Sequence, residues 1–385
     1  MQAVRLARYH SRKRKIVRFT GAYHGWWDDV QPGPGNPMPP SSDTLTLNDM
    51  HANTLRVLRN RNDIACVLVN PLQAMHPNKS APTDSTLVDG GRSIHYDRQA
   101  YTEWLQQLRQ VCTDKGIALI MDEVFLGFRL APGGAQEYFN VKADLVTYGK
   151  TLGGGLPVGV ICGMSKWMKR FDEQRPGNLC FARGTFNAHP YVMTTMQVFL
   201  EQLQTDEVQA MYADSSRTWS ERMQALNTRL QQADVPVQVA GMESVWSILY
   251  TVAGRYNWLL QFYMRDQGIA LSWVGSGRMI FSLNISDADF EKLCTDAAED
   301  LQEVEVDKLE ASFKKKIAAL QKKLDKEERE LREDEAELSH RKQAEMSNIA
   351  ETVFSLFGGR KRSVSSAMTK RRMSAKAAAD VEESR

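Results

Sequence analysis

The sequence predicts an α/β fold: a parallel-rich sheet with helices on both faces, then a small C-terminal α+β module and a helical tail. Three observations predict it. Over residues 1–300, short runs rich in Val, Ile and Leu alternate with longer amphipathic stretches. Glycines mark the joins between them. Near residue 300 the texture changes to a long charged stretch in which apolar residues return at every seventh position.

The buried strands are expected at "KIVRF" (15–19), "ACVLVN" (65–70), "IALIMDE" (117–123), "DLVTYG" (144–149) and "VGVICG" (158–163). Before the third of these, "YDRQAYTEWLQQLRQVCTDKG" sets Tyr101, Leu105, Leu108 and Val111 at helical spacing, and Gly116 is placed to cap that helix. A strand, helix, strand order is therefore readable. Two further helices are expected over "HPYVMTTMQVFLEQLQ" and "DEVQAMYADSSRTWSERMQALNTRLQQA". The small module runs through "ESVWSILYTV", "NWLLQFYMRDQGIAL" and "RMIFSLNIS". The expected division is a large domain at 1–235, a small domain at 236–300, a helical or coiled-coil segment at 301–357 and a basic disordered tail at 358–385. In the helical segment, Ile317, Leu324, Leu331 and Leu338 form the heptad row, with Phe313 and Leu320 in the companion row. The companion positions then become Glu327 and Asp334, so a single solvated helix stands as the alternative to a coiled coil.

Composition excludes some classes of function. With 42% hydrophobic and 25% charged residues, the chain holds enough apolar material for a substantial core. The net charge of +2 supplies no long-range field toward nucleic acid or an anionic membrane, so neither is an expected partner. The basic clusters beyond Gly359 read as a solvated tail. Cys66, Cys112, Cys162, Cys180 and Cys294 are scattered singly, as reduced thiols are. No apolar run is long enough to span a bilayer, and "MQAVRLARYHSRKRK" has no apolar secretory core. A cytoplasmic protein is expected, and no metal ligand set is assigned.

Two strand ends carry chemistry. Ligands of open α/β sheets collect at the carboxyl ends of strands, and Asp122 and Lys150 both terminate apolar runs there. A lysine so placed can form a Schiff base with an aldehyde cofactor, and an acid can keep a pyridinium nitrogen protonated. The glycines at 153–155 let backbone approach such a group closely. Read singly, an Asp-Glu pair at a strand end is a turn or cap feature, and a loop lysine is a solvated charge.

Taken in order, "FTGAYHGWWDD", "IALIMDEVFLGFRL", "ADLVTYGKTLGGGLPVGVICG" and "RGTFNAHP" resemble the class III aminotransferases. The likeness is strongest to the glutamate-1-semialdehyde aminomutases and to the aminotransferase domains of polyketide and peptide synthetases, and it spans residues 1–300. It implies the type I pyridoxal phosphate-dependent fold, the cofactor pyridoxal 5'-phosphate and an active site at a homodimer interface. It also implies roles. Lys150 would be the Schiff-base lysine and proton carrier, and Asp122 the partner of the pyridine nitrogen. Tyr23 would stack on the cofactor ring with His24 beside it. Thr185 would reach the cofactor phosphate of the neighbouring subunit. Without that resemblance, Tyr23 reads as a core aromatic, His24 as a turn residue and Thr185 as a helix cap.

The sequence departs from the family in places. Asn70 and Gln73 stand where many members carry a Glu-Pro pair near the substrate, and Phe125 where many have a glutamine. In the family a further region comes first, ending in a turn whose amides bind the cofactor phosphate at a helix N-terminus. The sequence opens inside the helix after that turn, so this phosphate cup is expected to be missing. Arg129 and Arg183 are conceivable substrate carboxylate binders that also read as ordinary ion-pair residues. Two functions are therefore set against each other. One is amino-group transfer, as a transaminase or a mutase acting on an amino-aldehyde. The other is a catalytically defective remnant that works as a scaffold through its helical tail.

Overall fold

The structure, a computed structural model, describes residues 1–30, 37–38, 41–75, 96–252, 260–266, 268–270, 278–303 and 306–357. The chain divides into two compact units, Met1–Gln302 and Glu303–Arg385. The expected basic tail at 358–385 lies outside the described residues.

The first unit opens with α1 (Gln2–Ser11) and continues through β1 (Lys15–Phe19), β2 (Thr44–Leu47), α2 (Ala52–Asn60) and β3 (Ile64–Val69). It then runs through α3 (Arg98–Lys115), β4 (Ala118–Asp122), α4 (Gly134–Tyr138), β5 (Leu145–Gly149) and β6 (Gly159–Gly163). Helix α3 begins at Asp97, whose carboxylate accepts from the Ala100 N–H at 2.9 Å. It stops at Gly116 in the left-handed region (φ 59), where a glycine C-cap carries no Cβ penalty.

The strands form one sheet in the order β2-β1-β3-β4-β5-β6. The pairings from β2 to β5 are parallel, and β6 runs antiparallel to β5. That reversal departs from a wholly parallel sheet and has a simple cause. The link between β5 and β6 covers only residues 150–158, too short for a parallel crossover, which needs a dozen or more residues. Strand β2, four residues long and half-buried at the sheet edge, was not among the strands expected from the sequence.

Side chains alternate between two cores, as buried strands require. On β4, Leu119 and Met121 enter a cluster with Leu55 of α2 and Leu105 and Leu108 of α3. Ala118 and Ile120 face the other way, toward Val4 and Leu6 of α1. The same alternation sends Asp122 and Glu123 to opposite faces.

After β6 come α5 (Ser165–Met168), the hairpin of β7 (Phe171–Asp172) and β8 (Arg175–Leu179), α6 (Pro190–Leu203) and α7 (Asp206–Gln232). A three-stranded antiparallel sheet, β9 (Val237–Met242), β10 (Val245–Tyr250) and β11 (Arg278–Ile280), comes next with α8 (Leu260–Asp266) and α9 (Asp287–Glu303). One face of this sheet packs Trp246, Ile248 and Met279 against Trp219, Leu226 and Leu230 of α7. From the other face, Met242 and Val245 join the core of the large sheet. The second unit contains α10 (Val306–Phe357), one continuous helix of 52 residues.

Candidate active site

The site is assembled where β4 and β5 end side by side. Asp122 pairs in register with Thr147 of β5, and both point to the α1 face. The Thr147 hydroxyl donates to Asp122 Oδ1 at 3.2 Å, as does the Val124 N–H. His24 Nδ1 donates to Oδ2 at 2.7 Å. The His24 side chain is 1% exposed, and its Nε2 has no hydrogen-bond partner among the described residues. Burial pushes the Asp122 carboxyl up, but the His24 ring, the Val124 N–H and the Thr147 hydroxyl outweigh it and hold the group below the usual carboxylate range. Asp122 is therefore a nearly enclosed anion at neutral pH.

His24 is carried by the turn after β1. Gly21 (φ 75) and Gly25 (φ 106) bracket it, both in the left-handed region that suits glycine. Asn70 Nδ2 donates to Tyr23 O at 3.2 Å, and Gln73 Nε2 donates to Thr20 O. The two residues whose substitution the sequence left without a role thus brace this turn from the end of β3. Tyr23 itself is 57% exposed.

Lys150 directly succeeds β5 and takes a left-handed backbone (φ 45), an unusual conformation for a residue with a Cβ. It is exposed, and its Nζ makes no hydrogen bond or ion pair among the described residues. Its amine lies 5.8 Å from the centre of the Phe125 ring. The same ring is met by the guanidinium of Arg129 at 5.8 Å and that of Arg278 at 5.1 Å.

Glu123 turns to the opposite face and does a different job. Its side chain is buried and accepts from the Ala135 N–H at 2.6 Å and the Gln136 N–H at 3.2 Å, pinning the loop that carries Phe125. Burial pushes its carboxyl up to about 7. Gly134 (φ 74) lies so close that a Cβ there would sit 1.9 Å from Glu123 Oε2.

Of the residues singled out in the sequence, Asp122 and His24 touch, Lys150 ends the neighbouring strand, and Tyr23 adjoins His24. Thr185 stands apart. It is exposed in a groove lined by Leu156, Ile161, Gly184, Phe186 and His189, and neither Asp122 nor Lys150 lines that groove. Arg183 stacks on Phe181 at 4.7 Å and is likewise exposed. Thr147 and Arg278 escaped the sequence reading. Thr147 is signalled only by strand register, and Arg278 arrives from a distant element with no motif around it.

A doubly clothed α/β sheet with a buried anion and a lysine unpaired among the described residues, at adjacent strand ends, defines a ligand-binding class whose chemistry sits at the carboxyl edge. The chain belongs to the class III aminotransferase family, whose family model, "Aminotransferase class-III", matches residues 1–301. It is similar to glutamate-1-semialdehyde 2,1-aminomutase of Methanothermobacter thermautotrophicus, 36% identical over 265 residues, covering 65% of this chain and 57% of that protein. The chain thus spans little more than half the length of that curated relative. Among solved structures, a β-phenylalanine aminotransferase from Variovorax paradoxus is 28% identical with a TM-score of 0.60, covering 78% of this chain and 66% of that one. An omega-transaminase from Sphaerobacter thermophilus shares the fold at 23% identity and a TM-score of 0.61, covering 78% and 71% of the two chains.

Proposed function

We propose that this chain catalyses pyridoxal 5'-phosphate-dependent amino-group transfer at Lys150, as a transaminase or as a mutase of the glutamate-1-semialdehyde type. The observation that carries the reading is the Asp122 carboxylate, kept ionised by His24 and Thr147, at the strand end beside the one that presents an unpaired lysine. These residues fit the cofactor. A buried anion whose side-chain partners are His24 and Thr147 matches a protonated ring nitrogen, and the Lys150 amine, unpaired among the described residues, matches an aldehyde. When bound, pyridoxal phosphate supplies an electron sink for the carbon that carries the amino group.

The chain's own groups supply the rest. Lys150 Nζ would hold the cofactor, and its amine is the group that would move a proton between the substrate carbon and the neighbouring position. Asp122 would accept a hydrogen bond from the protonated ring nitrogen, and His24 fixes the carboxylate's direction. Tyr23, exposed next to His24, offers a ring for stacking. Thr185 serves the phosphate of a second subunit, which accords with its exposure and its separation from Lys150 in its own chain. The reading thus includes a homodimer, a small amino donor and carbonyl acceptor or an amino-aldehyde, and a cytoplasmic setting. No helix among the described residues is long and apolar enough to cross a membrane. The Asp122–His24 contact supports this reading over a scaffold remnant. The tail's coiled-coil pairing is a separate proposal.

The test is an absorbance spectrum with added pyridoxal phosphate, before and after borohydride. A visible band that borohydride fixes covalently, and that Lys150→Ala abolishes, is expected. Asp122→Asn should keep the band while slowing amino transfer by about 10²–10⁴-fold. Absence of any Lys150-dependent band would overturn the proposal.

A further inference from the structure

Phe128 holds a backbone that its side chain disfavours. Its φ of 63 lies in the left-handed region, which costs a bulky aromatic residue far more than a glycine. Lys150, with φ 45, shares that conformation, and packing links the two. The Phe128 ring lies 5.3 Å from that of Tyr148, two positions before the lysine, and 5.2 Å from that of Phe199 on α6. Gly127 permits this approach, since a Cβ there would sit 2.9 Å from Tyr148 Cδ1. On the same turn, Phe125 presents its ring to the lysine amine at 5.8 Å. Arg129 ties the turn together, because its backbone N–H donates to Leu126 O at 3.0 Å and its Nε to Phe125 O at 2.9 Å. Whatever fixes Phe128 therefore fixes Phe125.

A fixing group comes from α7. The Tyr212 hydroxyl donates to Phe128 O at 2.6 Å, across 84 positions of sequence. Burial pushes that hydroxyl up to about 12, so it keeps its proton at neutral pH and can donate. The helix that carries it is itself held. One turn further on the same face, Ser215 and Ser216 donate to the two carboxylate oxygens of Glu243, at 2.8 and 2.7 Å, in the turn between β9 and β10. A strained backbone persists only where its surroundings over-determine it, and one hydrogen bond is comparable in size to the strain at one residue. The Tyr212 hydroxyl and the two rings that flank Phe128 supply that support.

We propose that Tyr212 is a positioning residue for the lysine: its hydroxyl keeps Phe128 left-handed, and that turn seats the Phe125 ring against the Lys150 amine. Tyr212 acts through Phe128 and Phe125 and not on the reacting atoms. This role rests on the one proposed for Lys150 and adds the group that aims the amine.

The first arm of the experiment needs no cofactor. The lysines of the full chain are dimethylated with isotope-labelled formaldehyde, and the Lys150 signal, identified by its absence in Lys150→Ala, is read by NMR. The ring current of Phe125 should displace it upfield of the signals of exposed lysines such as Lys166. Phe125→Leu should abolish that displacement. Tyr212→Phe, which removes one oxygen and keeps the ring, should reduce it. The second arm adds pyridoxal phosphate to the unmethylated full chain and follows the rate at which the Lys150-dependent band forms. Tyr212→Phe should slow it about 3- to 10-fold, the effect of one hydrogen bond. Phe128→Gly supplies a residue that adopts the left-handed backbone unaided, so in that background Tyr212→Phe should change the rate by less than about twofold. Phe128→Asn, which also enters that region, takes its place if the glycine variant fails to fold. An equal loss in both backgrounds, or a Lys150 signal that Tyr212→Phe leaves in place, overturns the proposal. A signal that Phe125→Leu does not move overturns it as well. If no band forms even in wild type, the Lys150 reading fails by itself, and the NMR arm still decides whether Tyr212 seats the amine.

Discussion

Asp122 and Glu123 are neighbours in sequence and opposites in environment. Strand alternation aims the first at His24 and the second at the amides of Ala135 and Gln136, and their carboxyls shift in opposite directions. Glu123 yields a pH prediction. Its folded-state value of about 7 lies above that of an exposed glutamate, so the fold favours the protonated form. Its stabilising effect is fully present below the ordinary glutamate value and is lost as pH rises through about 7. The full loss amounts to about 3 kcal/mol. Urea unfolding at pH 5 and pH 8 should show wild type losing more stability than Glu123→Gln, whose neutral amide has no proton to release. Equal losses in both proteins would show that Glu123 does not titrate in this window. The sequence exposed the positions of Asp122 and Lys150, because a polar residue closing an apolar run is a local signal. It hid the partners of Asp122, because His24 is 98 positions away and only folding brings it near.

At the scale of elements, the strands and helices with strong periodicity were legible within a residue or two. Strand β1 is found at Lys15–Phe19 as expected, and α3 is closed by the cap that Gly116 announced. What the sequence hid depends on contacts between elements. Strand β2 gains its identity from pairing with β1, and the antiparallel course of β6 is set by the length of a loop rather than by its residues. The small sheet depends on one such contact. Gly241 faces Trp246 across β9 and β10, and a Cβ at Gly241 would sit 2.1 Å from the indole Cδ1. Trp246 is fully buried against Trp219, Phe281 and Phe290. Trp246→Ala should cost about 3–5 kcal/mol, the usual range for emptying a large aromatic from a core. Gly241→Ala should destabilise as well, by forcing the indole out of place. Denaturant midpoints with unchanged slopes would measure both. A change below about 1 kcal/mol in Trp246→Ala would mean that this core does not depend on the indole.

At the scale of the whole molecule, the family match ends at residue 301, and the helix beyond it has to be explained by its own physics. Helix α10 is supported along its flank by Lys323–Glu327, Lys326–Glu330 and Glu328–Arg332, all four residues apart and exposed. Such pairs contribute a few tenths of a kcal/mol each, enough to favour a helix but not to specify a partner. The apolar row is different. Ile317, Leu320 and Leu324 are 39%, 66% and 54% exposed, and burying a leucine against a second helix is worth about 1.5–3 kcal/mol. A repeat of seven keeps Ile317, Leu324, Leu331 and Leu338 on one seam, the spacing at which two helices supercoil. The acidic companion positions Glu327 and Asp334 weaken that seam in its second half, so the proposed pairing should be carried by residues 313–324. Leu324→Asp places a charge at the strongest part of the seam and Leu331→Asp at the weaker part. Sedimentation equilibrium should then show Leu324→Asp lowering the association constant of the full chain by at least about tenfold, with Leu331→Asp having the smaller effect. If neither substitution changes the mass while far-UV circular dichroism keeps its helical signal, α10 is a solitary solvated helix. Self-association of this chain would then have to arise outside this seam.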